Sequence, residues 1–482
     1  MTIEEQICQN AIRQPASIAL ITPQEQVTYA QLWERCLLAA TNVRRKYGLQ
    51  KGDRIILAAS ANIDFIYAYF GIHMAGGICA PIDPDTNETR FELIKNSTKP
   101  VCTMGVLHKV TGTQTVPFSE VLTPCDKIEP YQAPDPEQIA DILFTTGTTG
   151  APKGVALNHK NLTAAALNIN TFIKNTAEDV ELLALPVSHS FGLGRVRCVL
   201  SKGGSLVLLG SFANMKRFFE QMEQFHCTGF GMVPASWAYI KKMSGRKIGE
   251  FAGQLRYIEI GSSFMPIPDK ELLCELLPET RICMHYGLTE ASRSAFMEFH
   301  SEHDYLNTAG KASPNVEVKI FDAEGNVLPI GAEGEVCVKG EHVTCSYWNE
   351  TPERFAKDFY DGYFRTGDCG YLDAEGYIHL KSRIKEMINV GGKKVSPMEV
   401  EDILNTIPGI EDCACVAMPD PEGVMGELVK AFIVSNDASL TDAAIIEALR
   451  PKLEAYKLPA RIERIDAIPK TASGKVQRLK LK

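Results

Sequence analysis

From about residue 50 the chain alternates short apolar runs with stretches of helical periodicity, and this alternation leaves few folds open. Arg54-Ile-Ile-Leu-Ala-Ala reads as a strand, residues 62 to 75 as a helix, Ile78 to Ile82 as a second strand and Ile142-Leu-Phe-Thr as a third. Strand and helix in turn predict an α/β unit with a substantially parallel sheet. Between about 310 and 382 the texture changes to short strands separated by turn residues, as in Val316 to Gly325, Gly334 to Gly340 and Tyr377 to Leu380. That segment reads as a small β subdomain. After Arg383, about 100 residues read as a separate α+β unit, with strands at Ala414 to Met418 and Val429 to Val434. Ile445, Leu449 and Leu453 there fall on one helical face. The predicted division is 1–382, with the β subdomain at 310–382, a short hinge at 383–385, and 386–482.

A length of 482 residues is enough for about three units with real cores. The 45% hydrophobic and 23% charged content excludes collagen, coiled coil and low-complexity disorder. A formal charge of −9 argues against a broad nucleic-acid surface, so any polyanion must be bound locally. Phe65 to Ile82 carries no formal charge and approaches the length of a membrane helix. Gly71, His73, Gly76, Gly77 and Pro81 divide it into a helix, a turn and a strand, so no span is expected. Met1-Thr-Ile-Glu-Glu-Gln is acidic where an export signal is basic, which predicts a cytoplasmic protein. The 14 cysteines include no C-x-x-C pair, and buried free thiols are expected rather than structural zinc.

The most informative stretch is Asp141-Ile-Leu-Phe-Thr-Thr-Gly-Thr-Thr-Gly-Ala-Pro-Lys-Gly154. Its glycines let backbone approach an anion, the hydroxyls of Thr145, Thr146, Thr148 and Thr149 donate hydrogen bonds, and Lys153 adds positive charge. It reads as a phosphate cradle. The spacing of Gly147 and Gly150 and the Gly after Lys153 distinguish it from the G-x-x-x-x-G-K-[ST] loop.

The stretch resembles the signature loop of the adenylate-forming superfamily, which includes acyl-CoA synthetases, peptide-synthetase adenylation domains and luciferases; Thr146 stands where Ser is usual. Further matches follow in family order: Leu185-Pro-Val-Ser-His-Ser-Phe-Gly192, Gly261-Ser-Ser-Phe-Met-Pro266, Tyr286-Gly-Leu-Thr-Glu-Ala291, Tyr363-Phe-Arg-Thr-Gly-Asp368, Ser382-Arg-Ile-Lys-Glu386 and Pro469-Lys-Thr-Ala-Ser-Gly-Lys475. The resemblance implies a large N-terminal domain of α/β subdomains with a small β-barrel-like subdomain, and a small mobile α+β lid. It implies that a carboxylate attacks the α-phosphate of ATP to give an acyl-adenylate and pyrophosphate. A thiol, coenzyme A or the phosphopantetheine of a carrier protein, then takes the acyl group.

On that resemblance Lys475 is the catalytic lysine, Thr289 donates to the α-phosphate, His189 stands near the carboxylate, and Glu290 holds Mg²⁺, a hard cation that prefers oxygen. Nucleotide contacts are expected from Thr145 to Gly150, including Gly147, Thr148 and Thr149, and from Lys153, Gly261, Ser262, Ser263, Tyr286 and Gly287. Asp368 is expected to accept from both ribose hydroxyls, and Arg383 to make a second ribose or phosphate contact. His189, Ser190, Phe191 and Gly192 line the acyl pocket, Lys385 marks the hinge, and Gly391 and Gly392 line the thiol tunnel, where the alternative is a plain turn. Ser190 replaces the Asp that pairs with a substrate ammonium in amino-acid-activating members, so the implied acid lacks an α-amine. Arg195, Arg197 and Arg293 are read as surface or structural arginines in preference to partners for a second substrate carboxylate. Two rival readings stay open: a stand-alone enzyme that loads a separate carrier protein, and a non-catalytic nucleotide-binding protein.

Overall fold

Two sheets with parallel interiors dominate the computed structural model, which describes residues 1–146, 152–437, 439–471 and 474–481. Among the described residues the larger sheet has nine strands. Its parallel core runs Arg281–Tyr286, Tyr257–Ile260, Gly229–Met232, Val180–Leu183, Ser205–Leu208 and Ile18–Ile21. Antiparallel strands close its edges: Ala295–Glu298 and Lys311–Ala312 on one side, Gln26–Thr28 on the other. The second sheet orders six strands as Ser346–Tyr347, Pro152–Asn158, Ile139–Thr146, Ile78–Ile82, Arg54–Ala58 and Cys102–Met104. Its last four are parallel, as the alternating sequence pattern requires. Ile139–Thr146 and Pro152–Asn158 instead form an antiparallel hairpin, with Thr145 opposite Lys153.

The near-span at Phe65 resolves into helix Ile63–Met74, capped by the Asn62 side chain and followed by the Gly76 turn and strand Ile78–Ile82. Its 12 residues rise about 18 Å, well short of a bilayer, and it is apolar all round because it is enclosed in the main core. No helix among the described residues is long and apolar enough to cross a membrane. The 14 cysteines are free thiols, eight of them buried.

Helix Ser190–Lys202 is enclosed as well: every residue from Phe191 to Ser201 is buried, and Gly203 ends it in the left-handed conformation at φ +99°. Two of those enclosed residues are arginines, so the fold must supply buried counter-charges.

By packing density the chain divides into two units. The first is Met1–Leu306, Gly310–Glu317 and Val338–Phe359; the second is Asn307–Ala309, Val318–Cys337 and Tyr360–Lys482. In the second unit, Tyr363–Leu372 pairs antiparallel with Ile378–Arg383 within a five-stranded β region. The tail adds a three-stranded sheet of Asp412–Pro419, Glu427–Val434 and Arg461–Arg464, and the hairpin Ile388–Val390 with Lys393–Val395. Helices Pro397–Leu404 and Asp442–Leu449 complete its core. Leu453 lies past the end of Asp442–Leu449, yet it is buried in the same cluster as Ile445 and Leu449.

Candidate active site

Three of the matched segments leave the carboxyl ends of parallel strands in one sheet, the edge at which open α/β sheets bind ligands. Residues 185–192 follow Val180–Leu183, Gly261 follows Tyr257–Ile260, and Gly287 follows Arg281–Tyr286. Close packing explains the glycines. A Cβ at Gly192 would lie 2.3 Å from the Pro186 carbonyl oxygen, and one at Gly261 would lie 2.1 Å from the His285 ring. A Cβ at Gly287 would lie 2.5 Å from the Arg293 nitrogen. Ser262 has φ +78°, so the loop after Gly261 turns sharply. Phe264 is exposed. Ser190 and Phe191 open helix Ser190–Lys202, with His189 as the residue before it. His189 reaches solvent, yet surrounding protein lowers its imidazole pKa by desolvation, with Asp83 opposing that shift and Arg90 reinforcing it. Arg90 also donates to the Phe144 carbonyl, 3.1 Å away, on the strand that leads into the glycine- and threonine-rich segment.

At the cradle, Gly147, Thr148, Thr149 and Gly150 lie outside the described residues, as does the Thr146 side chain. The hairpin holds Thr145 and Lys153 opposite each other. The Lys153 Nζ stands 3.1 Å from the centroid of the Tyr347 ring and 4.0 Å from Asp358, a close cation–π contact. The Tyr347 hydroxyl donates to Glu290 Oε1 at 3.1 Å, and the Thr344 backbone N–H donates to the Glu290 carbonyl at 2.7 Å. Tyr347 therefore ties the lysine of the cradle to the carboxylate expected to hold the metal. Sequence reasoning missed it. A Tyr-Trp pair in a β segment gives no local signal of function, and the contact spans 57 residues on one side and 194 on the other. Tyr286 and Thr289 are half-buried on the same strand end and loop as Glu290.

The three arginines are buried and structural. Arg195 forms a bidentate pair with Glu181 and bonds Glu259 at 3.1 Å; Arg293 donates through Nε to the other oxygen of Glu259 at 2.9 Å. Burial alone would raise the Glu259 pKa, but Arg293 and Arg195 outweigh it and hold the carboxyl well below its usual range. His285, 2.8 Å from Glu259 through Nδ1, is kept neutral chiefly by burial. Arg197 instead donates to Asp141 at 2.8 Å. Asp141 also accepts from the Tyr69 hydroxyl and faces His73 Nε2 at 3.1 Å. Glu4 in turn faces His73 at 2.8 Å and His159 at 3.2 Å. Each arginine of this trio is held by buried carboxylates of the protein.

In the second unit the structure brings Asp368 and Arg383 together. They are cross-strand partners, and Arg383 Nε lies 2.7 Å from Asp368 Oδ1. Arg383 also donates to the Thr366 carbonyl. Lys385 is exposed in the turn Ile384–Glu386. Gly391 and Gly392, with φ +57° and +82°, form the two-residue turn of the hairpin that joins Val390 to Lys393. A Cβ at Gly391 would meet the Met425 side chain at 2.6 Å. Lys475 is exposed on a turn closed by the bond from the Thr471 N–H to its own carbonyl and by Gly474 at φ +85°.

Comparison with known proteins shows the family. The AMP-binding enzyme family matches residues 8–348, and the AMP-binding enzyme C-terminal domain matches 399–475. The chain is 29% identical to the long-chain-fatty-acid–CoA ligase FadD13 of Mycobacterium tuberculosis, covering 97% of this chain and 95% of that protein. It is 30% identical to the oxalate–CoA ligase of Saccharomyces cerevisiae, covering 96% and 93%. The crystal structure of ATP-bound MatB from Rhodopseudomonas palustris superposes with a TM-score of 0.90 at 25% identity, over 100% of this chain and 98% of that one. Family models matching residues 8–348 and 399–475, with ligase relatives aligned over nearly the whole length, identify the chain as a member of the AMP-binding enzyme family, an AMP-forming ligase that activates a carboxylic acid as its adenylate.

Proposed function

We propose that this enzyme joins a carboxylic acid lacking an α-amine to coenzyme A, with MgATP as the activating substrate. The single observation that carries the reading is the Lys153–Tyr347–Glu290 chain. It sets a fixed cation and an oxygen donor beside the cradle, as an ATP phosphate chain and its Mg²⁺ require. Glu290 suits that ion, because it is a half-exposed carboxylate oriented by one tyrosine hydroxyl. Bound Mg²⁺ would neutralise phosphate charge as pyrophosphate leaves.

The chain's own residues supply the rest. Lys153 and the hydroxyls of Thr145, Thr146, Thr148 and Thr149 hold the phosphates, and Thr289 donates to the α-phosphate. Tyr286, Gly287, Gly261, Ser262 and Ser263 form the adenine side, and Asp368 accepts from the ribose hydroxyls with Arg383 beside it. His189, neutral at pH 7, stands at the mouth of an acyl pocket formed with Ser190, Phe191 and Gly192. Lys475 bridges the acid carboxylate and the α-phosphate during adenylation. The segment 386–482 is proposed to pivot at Lys385, so that the Gly391–Gly392 turn guides the thiol in the second step.

Pyrophosphate release is the test, measured with short, medium, aromatic and dicarboxylic acids, each with and without Mg²⁺ and coenzyme A. Release that depends on one acid class and on Mg²⁺, with thioester formed once coenzyme A is added, is the expected result. ATP binding with no release for any acid would favour the non-catalytic reading. Adenylate that coenzyme A fails to discharge would favour a carrier protein as acceptor.

A further inference from the structure

None of the roles above uses Arg293, yet it is held on every side-chain nitrogen. It is 2% exposed and adopts φ +56°, a left-handed conformation that side chains other than glycine seldom hold without reason. Its Nη1 donates to the Ser190 carbonyl and its Nη2 to the Phe191 carbonyl, both at 3.1 Å, while Nε is held by Glu259. The guanidinium also lies over the Phe191 ring, with Cζ 4.7 Å from its centroid. Two glycines make the room: Gly194, where a Cβ would lie 2.8 Å from Nη1, and Gly287, where a Cβ would lie 2.5 Å from the Arg293 nitrogen.

Charge balance alone does not explain this arrangement. Arg195 and Arg293 match Glu181 and Glu259 in number, and a lysine in either place would serve that count. Only a planar fork can reach two successive carbonyls and a carboxylate at once. Those carbonyls belong to the first turn of helix Ser190–Lys202, and Arg293 lies three residues after Glu290 on the same loop. We propose that Arg293 is a positioning residue that clamps the first turn of the acyl-pocket helix to the nucleotide-binding loop, and so sets the geometry in which the acid is held. The inference rests on the ligase reading.

Gly194→Ala is the leading test, because it displaces the guanidinium while every charge remains and alanine favours a helix. Arg293→Lys keeps the charge without the fork. The double variant Arg293→Met with Glu259→Gln removes the clamp without leaving a buried charge unpaired. Steady-state pyrophosphate release is measured against acid and against ATP, with a melting curve for each protein. In the folded variants the KM for the acid should rise roughly tenfold or more, with altered ranking along a homologous acid series, while the KM for ATP stays within about twofold. A purely structural role predicts that acid and ATP parameters move together, or that neither moves while the melting temperature falls; either result overturns the clamp. Wild-type enzyme run alongside separates the two levels of argument. Absence of acid-dependent release from the wild type would sink the ligase reading and this inference with it.

Discussion

Glu290 and Lys475, two residues with proposed roles at the same nucleotide, stand in unlike surroundings. Glu290 is half-buried on a strand-end loop, bonded to Tyr347 and followed three residues later by the buried Arg293. The same unit holds two networks of buried charge, Glu181–Arg195–Glu259–Arg293 and Glu4–His73–Asp141–Arg197. Lys475 projects from an exposed turn that a glycine and two backbone hydrogen bonds hold in shape. The difference teaches that substitutions in the first unit should move stability and catalysis together, whereas those on the turns of the second should move catalysis alone.

The largest effect is expected at Asp141, which serves Arg197, His73 and Tyr69 at once. Asp141→Ala leaves buried cations without their partner and should cost about 3 to 5 kcal/mol, read as a lower urea midpoint. A loss under about 1 kcal/mol would break the comparison on its buried side.

Lys475→Ala should leave the urea midpoint in place and slow adenylate formation by roughly a hundred- to a thousandfold, the scale of losing one charge-stabilising donor. Supplied acyl-adenylate should still be converted to thioester when coenzyme A is present. Equal loss of both half-reactions in a folded variant would refute the two-pose mechanism and leave the family assignment standing.

Asp368 sharpens the comparison, since it belongs to the second unit but is buried and paired with Arg383. Asp368→Ala should weaken ATP binding about ten- to a hundredfold, or roughly 1.5 to 3 kcal/mol, without reordering the preferred acids. Unchanged ATP affinity alongside a shifted acid preference would remove the ribose role.

The smallest expected effect is a pH response of the first unit. Burial opposes the charge on Glu4, but His159 and His73 outweigh it and hold the carboxyl well below its ordinary 4.5. Burial likewise opposes the charge on His73, and the facing Tyr69, Cys79 and Asp141 outweigh it and raise the imidazole well above 6.5. The Glu4 contribution is complete above 4.5 and is lost as pH falls through the lowered folded value; the His73 contribution is complete below 6.5 and is lost as pH rises through the raised one. Melting temperature against pH should therefore carry an alkaline limb that His73→Gln abolishes. An identical limb in that variant would assign it to other groups.

Much of this molecule is legible without coordinates. The strands at Arg54, Ile78 and Ile142 and the helix at 62 to 75 follow from local causes, periodicity and turn chemistry. The ordered motifs place the candidate residues in the same way, because each is a short run whose chemistry is contained within it. What the sequence left undecided is which distant groups meet. Arg195 and Arg197 are two residues apart on one helix, yet they enter different networks with partners 14 to 128 residues away. Tyr347 stands between Lys153 and Glu290 only because an edge strand brings it beside the cradle hairpin. Sequence by itself determined the elements and the chemical inventory of the site, since both depend on near neighbours along the chain. Tertiary structure decided the partners, since a buried charge is satisfied by whatever the strand order places within about 3 Å of it, and strand order is set by packing of the whole unit.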